Sequence, residues 1–384
     1  MNQQLIKEFG DHYRKMPEYI FFCPGRINLI GEHIDYNGGR VMPCAISQGT
    51  WLAVSNNADK RLRFCCLNFP EKADLPVQMS YSKADSKWFN FPLGVINEIT
   101  QKGHSIPGLD MLFFGNLPIG AGLSSSASIE IVTAFALTEM LKLNSSRKEL
   151  ALLCKKVENE FIGVNCGIMD QFAVAFGKKD KAILLNCDTL EYEYLPLHLD
   201  EHVLVIINTN KERKLTESKY NERFSECGSA LKALKKALPV SNLCDLSIST
   251  FEASRQLIDD PVLVKRALHV ISENERVMKA AGALKKGELE YFGKLMYDSH
   301  QSLKELYEVS GKELDTIVDF CKSFEGCIGA RMTGAGFGGC AIALIKKGYL
   351  TDFSERISVF YKGRVGYKPG VFATEAGEGV ARIN

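Results

Sequence analysis

The chain has 384 residues, of which 46% are hydrophobic and 24% are charged, a composition typical of a soluble globular protein with two domains. Its 47 Lys and Arg residues nearly balance 46 Asp and Glu residues, and the net charge of +1 argues against general electrostatic binding of nucleic acid or anionic membrane. The twelve cysteines are scattered and form no C-x-x-C motif, which predicts reduced thiols in a cytosolic compartment.

The N-terminal segment and the apolar stretches give no targeting signal. Residues 1–16 mix charged and apolar side chains without an apolar core, so we expect no signal peptide. No apolar stretch approaches the roughly 20 residues that span a bilayer. The sequence therefore predicts a cytoplasmic protein without membrane or nucleic-acid partners, and a monomer or weak oligomer.

The first third of the chain is predicted to form strands and then a long helix. Tyr19–Cys23 is short and aromatic, and we expect Pro24-Gly25 to end this strand. A helix is predicted over Ser124–Leu143, because its apolar residues recur with a period near that of an α-helix. Further strands are predicted at Val41–Ile46, Thr50–Ser55 and Met111–Gly115.

The rest of the chain is predicted to be mixed. Ser146 and Glu149 match the capping box that begins a helix. Residues from about Lys214 to Phe324 are predicted to be mainly helical, with an interruption near Pro239–Ser249. This order predicts two α+β domains with a boundary near residues 190–205. Strands are predicted at Ala182–Asn186, His202–Asn208, Gly329–Met332, Ala341–Ile345 and Val371–Thr374.

The run Gly120–Ser128 (GAGLSSSAS) combines glycines with serines at a predicted helix start. Such a turn presents free backbone N–H groups and the positive end of the helix dipole to a phosphate. Its Ser hydroxyls can add hydrogen bonds, and one can ligate Mg²⁺. The run is not a Walker A loop, because no Gly-Lys-[Ser/Thr] follows. The structural alternative is an ordinary Ser cap after a Gly turn.

A second glycine run, Gly334–Gly339 (GAGFGG), fits the string G-x-G-x-x-G of dinucleotide-binding loops. That fingerprint requires a helix directly afterwards, whereas Cys340–Ile345 is predicted to be a strand. We therefore predict a tight loop between two strands, packed close to another backbone or to the phosphate site.

Charged residues concentrate in the segment Pro24–Gly39, among apolar neighbours. Carboxylates accept hydrogen bonds from neighbouring sugar hydroxyls, and a planar Arg can stabilise phosphate charge. A polar surface loop with ion pairs is the alternative. The residues concerned are Arg26, Glu32, His33 and Asp35.

Two further acidic residues stand out by their surroundings. Asp170 is the one acid in a largely apolar run, and it either caps a helix or takes part in chemistry. Glu158 lies near the edge of an apolar helix stripe, where most Glu side chains reach water. From residue type alone, a purely structural role is favoured for both Asp170 and Glu158.

Taken together, these segments resemble the galactokinases of the GHMP kinase superfamily. The resemblance extends from about residue 20 to 345, and the first motif is specific to galactokinases and their nearest sugar-kinase relatives. The matching motifs, in chain order, are Gly25–Gly39 (GRINLIGEHIDYNGG), Leu117–Ser128 (LPIGAGLSSSAS), Cys166–Gln171 (CGIMDQ) and Arg331–Gly339 (RMTGAGFGG).

The resemblance implies an α+β, two-domain GHMP kinase fold. An N-terminal ribosomal-S5-like domain would span residues 1–195 and bind ATP and sugar. A C-terminal ferredoxin-like domain would span residues 196–384, with the active site in the cleft between them. The implied reaction is ATP-dependent phosphorylation of α-D-galactose at the C1 hydroxyl. It would give galactose 1-phosphate and ADP as the first committed step of galactose catabolism.

The resemblance also implies roles for single residues. Asp170 would be the catalytic group that accepts the proton of the C1 hydroxyl, and Arg26 would orient it and stabilise the phosphoryl group. Ser126 and Glu158 would be the Mg²⁺ ligands. The implied sugar-binding residues are Glu32, His33, Asp35, Gly167 and Tyr220. The implied ATP-binding residues are Gly120, Ala121, Gly122, Leu123, Ser124, Ser125 and Ser126. Many relatives have Glu where Lys219 stands, beside Tyr220.

Two alternative functions remain open at this point. A kinase for N-acetylgalactosamine would need space beside the C2 hydroxyl, which no residue of the sequence reveals. A non-catalytic sugar and ATP sensor would be expected to show damage in the Ser-rich loop or in the catalytic pair. Ser124–Ser128 is complete here, and Arg26 and Asp170 are both present, so the sequence favours the enzyme.

Overall fold

The computed structural model describes residues 2–85, 87–118, 120–211 and 216–384, without the side chains of Thr216 and Glu217. The α-helices are α1 (Asn2–Tyr13), α2 (Asn90–Gln101), α3 (Ser125–Met140), α4 (Arg147–Lys156), α5 (Met169–Phe176), α6 (Thr216–Leu234), α7 (Ile248–Ser254), α8 (Pro261–Lys286), α9 (Leu289–Ser302), α10 (Gly311–Ser323) and α11 (Leu350–Val365). Turns of π-helix lie at Val157–Ile162 and Leu303–Tyr307, and 3₁₀ turns lie at Asp35–Asn37, Leu243–Asp245, Arg255–Leu257 and Lys347–Tyr349.

The β-strands are β1 (Tyr19–Asn28), β2 (Arg40–Val41), β3 (Pro43–Asn57), β4 (Arg61–Cys66), β5 (Phe69–Pro76), β6 (Gly108–Gly115), β7 (Lys181–Asn186), β8 (Tyr192–Pro196), β9 (His202–Asn208), β10 (Cys327–Thr333), β11 (Cys340–Lys346), β12 (Gly370–Thr374) and β13 (Ala381–Arg382). No helix in the described ranges is long and apolar enough to cross a membrane.

The largest sheet has the strand order β13-β1-β3-β6-β4-β5, in which only β4 and β6 pair in parallel. One face packs its apolar side chains, such as Phe21 and Phe64, against the buried stripes of α2, α3 and α4. On the other face, Leu5 and Phe9 of α1 cover Leu112. Burial of these apolar side chains fixes the position of α3, whose first turn carries the Ser-rich run.

The second sheet has the order β10-β11-β9-β12 and is antiparallel throughout. In chain order, β9 is followed by helices α6 to α10, then by β10, β11, α11 and β12. This strand–helix–strand–strand–helix–strand sequence with that spatial order is the ferredoxin-like arrangement. It confirms the fold expected for the C-terminal part of the chain.

The two parts of the chain share structure at their junction. A small sheet, β2-β7-β8, lies against the same apolar core as α8 and β9, so Val41 and Leu185 pack in one cluster with Ile207 and Val277. The end of the chain returns to the first sheet, where β13 pairs with β1. The division of the chain after residue 195 stays a prediction.

Most predicted elements are confirmed, with one clear error at the start. The Gly-rich loop is followed by β11, as expected, and Ser146 and Glu149 form the capping box of α4. Pro24-Gly25 does not end the first strand. Instead, β1 continues to Asn28 through a register shift at this point, because Gly25 lets the backbone pass where a Cβ would meet Leu123 O at 2.6 Å.

One other prediction differs from the structure, and one is not tested. The strands expected at Val41–Ile46 and Thr50–Ser55 are joined from Pro43 onward in the long strand β3, whereas Val41 belongs to β2. β3 runs through Gly49 against the backbone of Cys23. The helix start expected near Lys214 lies outside the described residues.

Candidate active site

A polar cavity of about 250 Å³ lies where β1, α3, α5, α6 and the β10–β11 loop meet. It is lined by residues from both halves of the chain, and we refer to it below as the polar cavity. It brings together the predicted catalytic, sugar-binding and metal-binding residues Arg26, Glu32, His33, Asp35, Ser126, Glu158, Gly167, Asp170 and Tyr220.

Arg26 and Asp170 form a two-point ion pair at the wall of this cavity. Arg26 Nε and Nη2 donate to the two carboxylate oxygens of Asp170 at 2.8 and 2.7 Å, a strong and directional arrangement. Burial opposes the charged guanidinium, but Asp170 and Glu32 raise the pKa of Arg26. The N-cap position of α5 is occupied by Ile168, and Asp170 lies inside the first turn of the helix. The capping alternative for Asp170 is therefore wrong.

Ser124 contacts the same carboxylate. Its hydroxyl donates to Asp170 Oδ2 at 2.6 Å, and its backbone has φ of 60°, a left-handed conformation uncommon for residues other than glycine. Arg26 Nη1 also donates to Gly122 O at 2.8 Å. The Gly- and Ser-rich run is thus tied directly to the ion pair, a contact that the sequence did not reveal.

Glu32 is almost completely buried and is held by the motif around Gly334. Its Oε1 accepts hydrogen bonds from Gly334 N at 2.8 Å and Thr333 Oγ1 at 3.1 Å, with Arg331 at 3.6 Å. Burial raises the pKa of the Glu32 carboxyl, whereas Arg331 and Arg26 act in the opposite direction.

The β10–β11 loop passes close to the Gly- and Ser-rich run. Gly334 adopts φ of 84°, and a Cβ there would lie 2.9 Å from Gly122 O. The prediction of a tight loop packed against another backbone is confirmed.

His33 is buried and uncharged. Its Nε2 lies 3.2 Å from Ala335 O, and because a carbonyl oxygen only accepts, Nε2 carries the proton. Nδ1 then accepts from the Tyr36 hydroxyl at 2.9 Å, and Tyr36 in turn bonds Tyr307 at 2.8 Å. Burial lowers the pKa of His33 to about 3. The hydrogen bonds from Tyr36 and Tyr307 were not predicted: Tyr36 lies in the same motif as His33 without an assigned role, and Tyr307 is 271 residues from Tyr36 in the chain.

Asp35 and Gly167 are packed directly against each other. A Cβ on residue 167 would overlap Asp35 Oδ2, so only glycine leaves room for this carboxyl group. Burial raises the pKa of Asp35 to about 7, and the nearby charges of Asp170 and Glu32 add to the shift. Arg26, Glu32 and His33 of the same segment are buried, so the structure excludes a plain surface loop.

Ser126 and Glu158 offer a hydroxyl and a carboxylate at one side of the cavity. Glu158 lies in a π-helical turn, is only 7% exposed and accepts a hydrogen bond from Gln171 Nε2 at 2.9 Å. The carboxylate of Glu158 is shielded from water, whereas a Glu at the edge of an apolar helix face is usually exposed. Burial raises the pKa of Glu158, and a hydrogen bond from Ser126 opposes the shift.

This oxygen pair fits Mg²⁺ bound to a nucleotide. Among the described residues, no group of three His, Cys, Asp or Glu side chains could hold a metal ion alone. Mg²⁺ usually takes only one or two protein oxygens, with substrate phosphates completing its coordination. None of the ion pairs found within the described ranges neutralises Glu158, so its buried carboxylate suits a cation.

An aromatic cleft of about 170 Å³ adjoins the polar cavity at Ser126. Its walls include Trp88, which lies edge-to-face with Phe113 at 5.6 Å between ring centroids. Asn68 adds a polar group. Sequence analysis did not predict this cleft, because its aromatic residues come from separate parts of the chain and lie outside the recognised motifs.

The predicted ATP-binding residues do not all face these spaces. Ser125 and Ser126 line the aromatic cleft. Ala121 and Leu123 are buried in the core, and the carbonyl groups of Gly122 and Leu123 bind Arg26. Their part in ATP binding stays a prediction.

Comparison with known proteins identifies the class. Residues 7–56 match the galactokinase galactose-binding signature, residues 90–178 the GHMP kinases N terminal domain, and residues 280–361 the GHMP kinases C terminal domain. The Methanococcus jannaschii mevalonate kinase has the same fold, with a TM-score of 0.70 at 20% identity over 94% of this chain and 98% of that chain. Fold and site therefore define a kinase with the two-domain α+β fold of the GHMP superfamily.

Closer relatives narrow the class to one family. The Clostridium tetani galactokinase is 50% identical over 382 residues, 99% of this chain and 97% of the relative. The Enterococcus faecalis galactokinase is 46% identical and covers both chains fully. The crystal structure of Lactococcus lactis galactokinase complexed with galactose has a TM-score of 0.97 at 42% identity, with both chains covered completely. The chain belongs to the galactokinase family.

Proposed function

We propose that the polar cavity carries the transfer of the γ-phosphoryl group of ATP to the C1 hydroxyl of α-D-galactose, giving galactose 1-phosphate and ADP. Family membership supports the substrates. The observation that carries the proposal is the carboxylate of Asp170, held by Arg26 and Ser124 in the wall of a cavity that shares Ser126 with an aromatic cleft. Phosphoryl transfer requires mainly positioning and charge neutralisation, and these groups supply both.

Galactose would occupy the polar cavity. The carboxylates of Glu32 and Asp35 can each accept hydrogen bonds from hydroxyl groups, while Gly167 leaves the backbone accessible. The rings of Tyr220 and His33 lie 5.5 Å apart, tilted by 39°, and line the same cavity. Such a site combines hydrogen-bond acceptors with aromatic rings, which suits a sugar ring.

ATP would lie across the first turn of α3. The N–H groups of Ser125, Ser126 and Ala127 have no carbonyl of their own helix to bind, and they form the positive end of the helix dipole. These groups would bind the phosphates, with the Gly120–Ser124 turn closing around them. The aromatic cleft would take the adenine ring by stacking and edge contacts.

In the transfer step, Asp170 accepts the proton of the C1 hydroxyl as the oxygen attacks the phosphoryl group. Arg26 holds that carboxylate at both oxygens and also binds Gly122 O, so it links the proton acceptor to the phosphate loop. Ser126 and Glu158 would hold Mg²⁺, which supplies positive charge to the phosphates when bound. The resulting electrostatic stabilisation comes from groups already fixed in the free protein.

The test is an ADP-release assay of the purified chain with ATP and Mg²⁺. Galactose, N-acetylgalactosamine, glucose and mevalonate are offered separately. We expect rapid turnover with galactose alone. Turnover with N-acetylgalactosamine but little with galactose would overturn the sugar assignment and leave the kinase chemistry intact. Binding of galactose and ATP without turnover would support a sensor instead.

We also place the reaction in the cytoplasm, as part of galactose catabolism. No disulfide bond is found among the cysteines of the described ranges, which suits a reducing compartment. We expect a monomer or weak oligomer, which sedimentation of the purified protein would test.

A further inference from the structure

One buried acid beside the active site has no part in the chemistry proposed above. Glu130 lies on α3 and is completely buried. Within the described part of the chain, neither of its carboxyl oxygens has a hydrogen-bond partner. A buried carboxyl group without partners destabilises a fold, so its presence calls for a functional explanation.

The position of Glu130 points to the metal-binding side of the cavity. It follows Ser126 by four residues, so the two side chains lie on the same face of α3, one turn apart. Long side chains on a helix lean toward its N-terminus, which directs the Glu130 carboxyl group toward Ser126. Glu130 lines neither the polar cavity nor the aromatic cleft, so it lies behind the site rather than in it.

The elements around Glu130 carry Glu158 and its hydrogen-bond partner. α3 packs against both α4 and α5. Glu158 follows directly after α4, and Gln171 lies on α5. Gln171 Nε2 donates to Glu158 Oε2 at 2.9 Å, whereas the buried Gln171 Oε1 has no partner in the described ranges.

Glu130 and Gln171 each lack a hydrogen bond that one water molecule could supply. Both carboxyl oxygens of Glu130 and the amide oxygen Oε1 of Gln171 are buried without a partner in the described ranges. A water molecule donates two hydrogen bonds, so one placed between these groups would satisfy a Glu130 oxygen and Gln171 Oε1 together. Gln171 would then be held in place, and with it the carboxylate of Glu158.

We propose that Glu130 is a positioning residue of the divalent-metal site. Its carboxyl group is linked to the Glu158–Gln171 pair through one buried water molecule, and so keeps Glu158 facing Ser126. The proposal rests on the function proposed above, because that function assigns Glu158 to the metal. Groups that hold a metal-binding carboxylate from behind commonly control metal affinity.

The proposal predicts opposite effects on metal binding and on stability. Loss of the carboxyl group would free the Glu158–Gln171 pair and weaken metal binding. Replacement by an apolar side chain of similar size would remove the cost of burying a carboxyl group, so the metal-free protein should be equally or more stable. A purely structural role would not separate these two effects.

The experiment compares Glu130→Met with Glu130→Gln in the full chain. Gln keeps one donor and one acceptor, whereas Met keeps only the volume. Binding of Mn²⁺ in the presence of ADP is measured by electron paramagnetic resonance, which needs no turnover. We expect Mn²⁺ affinity to fall about tenfold in Glu130→Met and to stay within about twofold in Glu130→Gln. Galactose affinity, measured calorimetrically, should be unchanged in both and shows that the site is folded.

A Glu158→Gln variant separates the two proposals. If Glu158→Gln weakens Mn²⁺ binding and Glu130→Met leaves it within about twofold of the unmodified chain, the role of Glu130 is overturned and the metal site stands. If Glu158→Gln itself leaves Mn²⁺ affinity unchanged, the metal assignment fails first and the role of Glu130 fails with it.

Discussion

The polar cavity and the aromatic cleft meet at Ser126, yet they are built in different ways. In the polar cavity, Glu32 and Asp170 are each held by two or more hydrogen bonds or ion pairs, so each is fixed before substrate arrives. The aromatic cleft is lined mainly by rings that contribute contact area. A hydrogen bond of fixed direction can be made by only a few residue types, so the residues of the polar cavity are restricted. Many apolar residues can supply contact area, so the residues of the aromatic cleft are less restricted.

The Asp170→Asn variant separates the chemical step from substrate binding most clearly. The amide keeps the shape of the carboxylate but cannot accept the proton of the sugar hydroxyl. We expect turnover to fall by about 10³-fold, within the usual contribution of a positioned acid–base group. Steady-state kinetics would measure the loss, and calorimetric binding of galactose would serve as the control for an intact polar cavity. Turnover close to that of the unmodified chain would remove Asp170 from the mechanism.

A substitution at Gly167 should disturb the polar cavity and leave the aromatic cleft unchanged. In Gly167→Ala, the new Cβ overlaps the Asp35 carboxyl group and must displace it. Loss of one hydrogen bond to a charged group costs about 1.5 kcal/mol, so KM for galactose should rise about tenfold with KM for ATP unchanged. Gly282→Ala is the matched control, since a Cβ there meets no atom within 4 Å. Equal effects of the two variants would contradict the packing argument.

The Trp88→Ala variant should disturb the aromatic cleft and leave the polar cavity unchanged. Removing one ring contact of about 1 kcal/mol should raise KM for ATP about fivefold, with KM for galactose unchanged. Tyr291→Ala, which removes a half-exposed ring that lines neither space, is the control and should have no effect. A rise in KM for galactose instead would show that the cleft does not bind the nucleotide.

The smallest effect concerns the protonation of Asp35. Because its pKa is raised to about 7, Asp35 is mostly protonated in the free protein at pH 6 and mostly ionised at pH 8. The ionised form accepts hydrogen bonds at both oxygens, so kcat/KM for galactose should rise about threefold across this range. Asp35→Asn should flatten this part of the profile. An unchanged profile in that variant would assign the titration to another group.

The same shift affects stability with the opposite sign. Between about pH 4 and pH 7 the folded protein keeps a proton on Asp35 that the unfolded chain has lost, so this residue makes stability fall as pH rises. Above pH 7 both states are ionised and its contribution is constant. Thermal melting of the unmodified chain and of Asp35→Asn across this range would measure the difference.

The comparison of the two regions also explains what the sequence could predict. Residues of the polar cavity lie in short continuous motifs, so Arg26, Glu32 and Asp170 could be assigned together by resemblance. Tyr307 and Thr333 could not be linked to them, because they act through contacts between distant parts of the chain. Ser124 belonged to a recognised motif, but only the fold shows that its hydroxyl binds Asp170.

The helices and strands show the same division between local patterns, which the sequence reveals, and long-range contacts, which it does not. Periodicity located α3 and β9 well, since their apolar patterns are local. It failed at Pro24-Gly25, where pairing with the neighbouring strand overrides a local turn signal. The return of β13 to β1 joins residues about 360 positions apart, and no local pattern could show it.

The most direct test of the central claim is the position of the phosphate on the product. The purified chain is incubated with galactose, ATP and Mg²⁺, and the product is examined by phosphorus and proton NMR. We expect one new phosphate signal coupled to the anomeric proton of galactose, formed together with ADP. A phosphate on any other carbon, or ADP released without sugar phosphate, would contradict the assignment of Asp170 as the group that receives the C1 hydroxyl proton.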